Sequence, residues 1–181
     1  VKYYTNDNIF NLIEQPKKML VIGAGPIGCE LGQGFARLGT SVLMVQRGSQ
    51  FLSNDDSDVV VYLQTQMEKD GVNFKFNTTP IKVEKDKGNQ GHICFTYKQN
   101  DQEVTETFDT ILVATGRAPN VENLGLEKAG IKFDKNGIIV NQNLKTSNSR
   151  VFAIGDCIPG PKFTHNSDAQ ARMVIRNAMF M

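Results

Sequence analysis

Apolar residues along this chain alternate between short continuous runs and stripes at helical spacing. The continuous runs are bounded by turn residues, which is typical of strands buried on both faces of a parallel sheet. They predict strands at 18–22, 41–46 and 73–76. Two stripes between these runs predict helices over 26–38 and from Asp55 or Asp56 to about residue 69. The resulting β-α-β-α-β order predicts half of a doubly wound α/β sheet.

The two helices are expected to turn their apolar stripes towards this sheet. Gly39 follows the first stripe and Gly71 follows the second, and glycine commonly ends helices. The side chains predicted to face the sheet are Ile27, Leu31, Phe35 and Leu38 in the first helix, and Val60, Leu63 and Met67 in the second.

Beyond residue 80 the apolar runs become shorter and more polar. These runs lie at 81–84, 92–99 and 104–108, with turn residues at 87–91 and 100–102. Such spacing predicts an antiparallel β-meander. A run at 109–114 then returns to the pattern of a buried parallel strand. Residues 17–114 are therefore predicted to form a Rossmann-like domain that contains this meander.

Both ends of the chain differ from this middle part. Residues 1–16 are polar with a few apolar positions and are interpreted as a connector. The last part holds two short strand candidates, 138–140 and 151–154, and a final helix over about 167–180. These elements are too few to hold a core alone, so residues 115–181 are predicted to be an incomplete segment of a second domain.

Composition narrows the function classes. The net charge is +1 with no basic block, which argues against nucleic acid and anionic lipid as partners. No apolar run reaches the roughly 18–20 residues that a membrane span needs, and no N-terminal secretion signal is evident. Cys29, Cys94 and Cys157 form no C-x-x-C pair, so a reducing, cytoplasmic setting is expected. Both ends look cut, as expected for the middle part of a longer protein.

A glycine motif, GAGPIG, joins the first strand to the first helix. Gly23 would permit the tight turn, Gly25 the close approach of a pyrophosphate, and Gly28 the close packing of helix on strand. The helix N-terminus then offers N–H groups and a positive dipole end to the phosphates. The alternative is a glycine-rich turn with no ligand. The candidate dinucleotide contacts are Gly23, Gly25, Pro26, Ile27 and Gly28.

The residues that end the second strand bear on which dinucleotide binds. A carboxylate there favours NAD, because it accepts hydrogen bonds from the adenosine ribose. This chain has Gln46 and then Arg47, so nothing repels a 2′-phosphate, and Arg47 is positioned to bind one. The alternative for Arg47 is a solvated surface residue. NADPH is therefore favoured over NADH.

The ordered set of motifs resembles a known family. The motif at 23–28, ATGRAPN at 114–120 and FAIGD at 152–156 together resemble the class I pyridine nucleotide-disulfide oxidoreductases, such as glutathione reductase, lipoamide dehydrogenase and mercuric reductase. The tail from 163 to 178 is most similar to the mercuric reductase-like branch. The resemblance implies a homodimeric FAD enzyme that passes hydride from NAD(P)H to FAD, and on to a disulfide, a metal ion or another acceptor.

The resemblance also implies roles around the flavin. Asp156, beside Gly155, would accept a hydrogen bond from the flavin's ribityl hydroxyl. Glu30 on the first helix would pair with a lysine next to the flavin, which lies upstream of this chain. The turn that crosses between the two domains consists of Ala114, Thr115, Gly116 and Arg117.

In the same family, the N-terminus of the last helix points at the flavin's pyrimidine edge. Phe163 and Thr164 stand at that end here, followed by His165. A helix N-terminus stabilises the negative charge that the reduced flavin carries there. His165 and His92 are interpreted as structural residues and not as catalytic ones.

Three departures from the family pattern affect the cofactor assignment. Pro26 stands where a tyrosine gates the nicotinamide pocket of glutathione reductase, and Ser53 stands where a second arginine supports NADPH. Gly28 and Gly32 resemble NADH-using members, since NADPH-using members often have alanine there. These signals conflict with the indication from Arg47. Arg47 and the missing carboxylate together still favour NADPH.

The chain does not contain the family's C-x4-C dithiol, its first flavin-binding glycine motif or its C-terminal dimerisation domain. The cysteines present are interpreted as structural. We therefore expect this chain to bind a nicotinamide cofactor, to hold FAD only weakly, and not to turn over substrate alone. Two other hypotheses remain open: a non-catalytic nucleotide-binding or scaffold module, and a flavin-dependent NAD(P)H oxidoreductase without the dithiol.

Overall fold

A computed structural model of the chain describes residues 1–86, 88, 91–99 and 102–180. The predicted turns at 87–91 and 100–102 lie mostly outside these residues. The chain divides into two units, Val1–Gly116 and Arg117–Met181.

Two sheets form the framework of the first unit. Its strands in chain order are β1 (Lys18–Ile22), β2 (Ser41–Val45), β3 (Val72–Lys75), β4 (Thr79–Lys85), β5 (Ile93–Gln99), β6 (Gln102–Phe108) and β7 (Thr110–Val113). One sheet is parallel with the order β3-β2-β1-β7, and the other is the antiparallel meander β4-β5-β6. The mixed α/β fold, the parallel sheet and the meander are thus confirmed.

The parallel sheet is covered on both faces, which explains its continuous apolar runs. Side chains alternate between the faces of a strand. In β1, Met19 and Val21 pack with the helices α1 (Pro26–Arg37) and α2 (Ser57–Lys69). Leu20, between them, packs with Phe95, Tyr97 and Phe108 of the meander.

The buried face of α1 differs from the prediction. The residues that face the sheet are small: Gly28, Cys29, Gly32 and Ala36. Leu31 and Phe35 are half-buried at the edge of this core, Ile27 is also half-buried, and Leu38 is 70% exposed. The small residues bring the helix backbone close to the sheet, so the larger side chains are displaced to its flanks. In α2, Val60 and Met67 are buried as predicted, but Leu63 is exposed.

A partly buried polar cluster ties the meander to the parallel sheet. Glu106 accepts hydrogen bonds from Lys75 at 3.0 Å, Tyr97 at 2.8 Å and Lys18 at 3.2 Å, and Lys75 also bonds the Tyr97 hydroxyl. Burial alone would raise the pKa of Glu106, but these three donors more than offset it and hold the pKa below its usual value. The carboxylate is therefore ionised and fully engaged at neutral pH.

The second unit has short elements and a small core. A two-stranded hairpin, β8 (Phe133–Asp134) and β9 (Gly137–Ile138), precedes the long helix α3 (Thr164–Met179). The predicted strand at 151–154 contributes only one bridge, between Phe152 and Lys145. The core residues are Leu126, Ile131, Ile138, Leu144, Ala153 and Ile158. No helix within the described residues has the length and apolar character to cross a membrane.

Candidate functional site

The glycine motif forms a tight turn between β1 and α1. The amide of Gly23 donates to the carbonyl of Val45 at 3.0 Å, which holds the turn against β2. Gly23 has φ +99°, and a β-carbon there would lie 2.4 Å from the carbonyl oxygen of Ala114. Only glycine fits both the conformation and the space.

Gly28 brings the first turn of α1 against this loop. A β-carbon on Gly28 would lie 2.3 Å from the carbonyl oxygen of Gly23. Because that atom belongs to the backbone, it cannot swing aside as a flexible side chain could. Gly32, one turn further along, is limited instead by the terminal methyl of Met44 at 2.8 Å.

Gly25 differs from both of these glycines. A β-carbon on Gly25 would meet no atom within 4 Å, and its φ of −84° suits any residue. The protein's own packing therefore does not require glycine at this position. A bare backbone at the N-terminus of a helix is what a pyrophosphate needs in order to approach closely.

The helix that starts here leaves its N-terminus available to an anion. Gly25 is the residue before the first helical turn, no side chain caps it, and Pro26 occupies the first turn. Ile27 is half-buried just inside the helix. The loop and helix together form a cradle of backbone N–H groups that is open to an anion.

Cys29 lies directly behind the cradle. Its thiol contacts the carbonyl of Ala24 at 3.8 Å, and burial, with smaller contributions from Glu30 and Asp55, raises its pKa to about 12. The thiol is therefore neutral and unreactive, as expected for a structural cysteine. All three cysteines are free. Glu30 is exposed and makes no ion pair with the described residues.

The end of β2 carries the two residues predicted to face the adenosine ribose. Gln46 is half-buried and Arg47 is exposed. The Arg47 guanidinium forms no hydrogen bond or ion pair with the part of the chain that the structure describes. It is thus available to an outside anion. Ser53, also exposed, follows in the same loop.

The crossing turn follows β7. The amide of Ala114 donates to the carbonyl of Ile22 at 2.8 Å, which places Ala114 beside Gly23. Thr115 is exposed, and Gly116 has φ +138° and ends the first unit. The turn therefore adjoins the glycine motif, and Arg117 opens the second unit.

In the second unit, Asp156 lies in a short 3-10 helix, Gly155–Cys157. Gly155 is buried with φ +71°, its amide donates to the side-chain oxygen of Gln170 at 2.7 Å, and a β-carbon there would lie 2.9 Å from the Ser167 hydroxyl. These contacts join the aspartate's loop to α3. The position of Asp156 is consequently fixed by the second unit itself.

The Asp156 carboxylate faces Arg117. The Nη1 atom of Arg117 lies 2.5 Å from Oδ2 of Asp156, and Lys162 donates to the Asp156 carbonyl at 3.1 Å. Sequence reasoning named Arg117 and Asp156 separately but missed this pair, together with Lys162 and Gln170. No spacing rule signals a pair 39 residues apart.

The N-terminus of α3 has the features expected of an anion-facing helix end. Phe163 precedes the first turn, no side chain caps the helix, and the first turn holds no acidic residue. Thr164 is exposed, and the His165 ring stacks on Phe163 at 5.3 Å between centroids. His92 lies elsewhere, 3.3 Å from Asp109 in the first unit. The described residues contain no cluster of three metal-ligating side chains.

Comparison with known proteins identifies the family. The sequence model of one protein family, the pyridine nucleotide-disulphide oxidoreductases, matches residues 1–171. The chain belongs to this family. It is 37% identical over 180 residues to a mercuric reductase of Staphylococcus aureus, and 35% identical over 164 residues to a dihydrolipoyl dehydrogenase of Geobacillus stearothermophilus. These matches cover 99% and 90% of this chain.

A solved structure extends the comparison to the fold. The HOCl-induced flavoprotein disulfide reductase RclA from Escherichia coli matches 98% of this chain with a TM-score of 0.85 and 26% identity. The chain spans 32% and 34% of the two sequence relatives and 39% of RclA. The chain thus spans about a third to two fifths of the length of these proteins.

Proposed function

We propose that this chain is the NAD(P)H-binding portion, with a segment of the FAD-binding domain, of an FAD-dependent pyridine nucleotide-disulfide oxidoreductase. The observation that carries the proposal is the contrast among the glycines of the motif. Gly23 and Gly28 are required by contacts within the protein, whereas Gly25 faces open space at a helix N-terminus. A glycine that packing does not require, and that precedes an uncapped helix N-terminus, is explained by a phosphate that approaches it closely.

The residues would share the work as follows. The loop at Gly25 and the N-terminus of α1 would bind the pyrophosphate of the nicotinamide cofactor and orient its ring. Asp156, held by Arg117, would accept a hydrogen bond from the ribityl chain, and the N-terminus of α3 would stabilise negative charge. The flavin would supply hydride acceptance from NAD(P)H and onward electron delivery.

The acceptor of those electrons follows from segments outside this chain. The relatives' names point to a metal ion as the acceptor in mercuric reductase, and to a dithiol as the electron donor in dihydrolipoyl dehydrogenase, where electrons would run in the opposite direction. We further propose that the whole protein is a homodimer of a reducing compartment such as the cytoplasm, in keeping with three free cysteines.

We propose NADPH as the preferred cofactor, because Arg47 is exposed and without a partner among the described residues, and no carboxylate ends β2. A charge-assisted contact with the 2′-phosphate is worth about 1.5–3 kcal/mol, or roughly a 10- to 150-fold preference. Calorimetric titration with NADPH and NADH, which differ only in that phosphate, measures this preference directly. Arg47→Ala should abolish it and leave NADH affinity unchanged, whereas Lys69→Ala removes a charge from the exposed end of α2 and should change neither affinity.

A second pair of variants tests the glycine cradle. Gly25→Ala should fold normally and bind both nucleotides at least about tenfold more weakly, because its methyl group occupies the phosphate's space. Gly34→Ala, also in open space but on the outside of α1, should bind as the original chain does. Equal binding by both variants would contradict the proposed site. A folded chain that binds neither nucleotide would favour the non-catalytic scaffold.

A further inference from the structure

The loop that follows β2 is held on both sides of Arg47. The amide of Gln46 donates to the carbonyl of Lys75 at 2.9 Å, and the carbonyl of Gln46 accepts from the amide of Thr78 at 3.0 Å. The carbonyl of Gly48 accepts from the amide of Asn77 at 3.0 Å. Arg47 therefore lies between two residues whose backbones are bonded to the β3–β4 turn.

The turn that makes these bonds is itself rigid. Thr78 is fully buried, and its hydroxyl donates to the carbonyl of Phe76 at 3.0 Å. Asn77 is exposed and has φ +51°, the left-handed conformation that asparagine tolerates better than other non-glycine residues. In this conformation the amides of Asn77 and Thr78 both reach carbonyls of the Arg47 loop.

The far end of the loop is anchored as well. Phe51 is fully buried, with its ring 5.2 Å from that of Phe74, and the amide of Leu52 donates to the carbonyl of Ala24 at 2.8 Å. That last bond ties the loop to the glycine motif. The loop from 46 to 52 is thus fixed at both ends, while the Arg47 side chain is exposed.

We infer that Asn77 is a positioning residue, whose left-handed turn holds the Arg47 loop and so sets how strongly the site distinguishes NADPH from NADH. A loop that is ordered before the ligand arrives need not be ordered on binding, and this strengthens the contact that it carries. The contact in question is that of Arg47 with the 2′-phosphate, so the inference rests on the proposed function.

The test compares two substitutions of the exposed Asn77. Asn77→Val disfavours the left-handed conformation, and we expect it to lower the ratio of NADPH to NADH affinity about tenfold with NADH affinity unchanged. Glycine accepts that conformation, so Asn77→Gly should keep the ratio within about twofold of that of the unsubstituted chain. A merely structural role would weaken both nucleotides together. An unchanged ratio in Asn77→Val, or a loss of the ratio in Asn77→Gly, would overturn the inference.

A measurement on the unsubstituted chain keeps the inference testable if Asn77→Val does not fold. The amides of Asn77 and Thr78 should exchange with deuterium as slowly as those of β2 in the ligand-free chain. Exchange at the rate of an open loop would overturn the inference while leaving Arg47 as a 2′-phosphate ligand. If the unsubstituted chain shows no preference for NADPH, both the NADPH assignment and this inference fail, but nucleotide binding at Gly25 does not.

Discussion

The two units of this chain are stabilised in different ways. In the first, a parallel sheet is buried on both faces, and large side chains such as Phe51, Phe95 and Tyr97 are fully enclosed. In the second, the core is six small or medium side chains, and α3 has no buried residue. Met179, in the last turn of α3, is 71% exposed.

Side-chain hydrogen bonds to backbone groups hold the loops of the second unit together. The side chain of Asn148 donates to the carbonyl of Ala129 at 2.7 Å, and the Ser147 hydroxyl donates to that of Gly130 at 2.8 Å. The carboxamide oxygen of Asn141 accepts from the amides of Asn143 and Lys145. The comparison teaches that the candidate nucleotide site rests on a packed core, whereas Asp156 rests on loops joined by side-chain hydrogen bonds.

The largest expected effect of this difference is on amide hydrogen exchange. Amides of β1 and β2 should exchange about 100-fold or more slowly than those in the middle of α3, because α3 has few buried contacts to break when it opens. Exchange followed by mass spectrometry or NMR measures this. Equal protection in β1 and α3 would mean that the two units open together, and the contrast would not hold.

A pair of substitutions on α1 probes the packing of the first unit. Gly28→Ala should lower the free energy of unfolding by about 2–3 kcal/mol, because its methyl group collides with the Gly23 carbonyl. Gly34→Ala, on the same helix and in open space, should raise it by about 0.5–1 kcal/mol. Urea unfolding of both variants decides the matter. The close approach of α1 to the loop is refuted if the two changes have the same sign.

The polar cluster around Glu106 should contribute less to the free energy of unfolding than the apolar core of the first unit does. Glu106→Gln should lower the free energy of unfolding by about 1–2 kcal/mol at pH 7. The pKa of Glu106 is lowered in the folded protein, so its contribution is complete above the unfolded pKa and is lost as the pH falls through the folded pKa. Urea unfolding measures the difference in free energy of unfolding between Glu106→Gln and the unsubstituted chain. This difference should be smaller at pH 3 than at pH 7. Glu103→Gln, exposed on the same strand, is the matched control and should change little.

The smallest effect concerns two aspartates, one in each unit. Asp70 accepts from Arg37 and Gln33 on α1 and from Gln66 on α2, and the Arg37 hydrogen bond contributes most to holding its pKa below the usual value. Its stabilisation is present at neutral pH and is lost as the pH falls through the lowered pKa. Asp70→Asn should therefore lower the melting temperature at pH 7 and have less effect in acid.

The matched aspartate in the second unit pairs within one helix. Asp168 and Arg172 lie one turn apart on α3, and both are exposed, so Asp168→Asn should change the melting temperature little at any pH. Thermal melts at pH 3 and pH 7 compare the two variants. If Asp70→Asn and Asp168→Asn changed the melting temperature equally, Asp70 would not stabilise the first unit by joining α1 to α2.

Local patterns predicted most of the fold, because a strand buried on both faces and a meander each leave a distinct sequence signature. The face of α1 was predicted wrongly at Leu38, since hydrophobicity ranks large side chains above glycine. Gly28 and Gly32, four residues apart, carried the correct signal: one helix face without side chains permits close approach. The predicted strand at 151–154 failed for a different reason, as its residues form one bridge and otherwise line the small core.

The candidate site could be predicted only in part. Glycines 23, 25 and 28 have a fixed spacing, so the sequence predicted where the motif lies. Their separate roles became clear only from the positions of the Ala114 and Gly23 carbonyl groups in the structure. The pairing of Arg117 with Asp156 depends on how loops fold back, which no local pattern encodes. Asn77 holds the Arg47 loop through backbone hydrogen bonds, and the sequence does not show which carbonyl groups the amides of Asn77 and Thr78 reach.

The carbonyl of Gly23 that faces Gly28 bears on how this protein could be re-engineered. The first turns of α1 are natural targets for redesigning the cofactor preference, because this helix starts at the proposed pyrophosphate site. For a β-carbon at Gly28 the obstacle is main chain at 2.3 Å, whereas at Gly32 it is only the movable tip of Met44. An alanine at 32 needs only a side chain to move, whereas an alanine at 28 needs the backbone of the turn to shift.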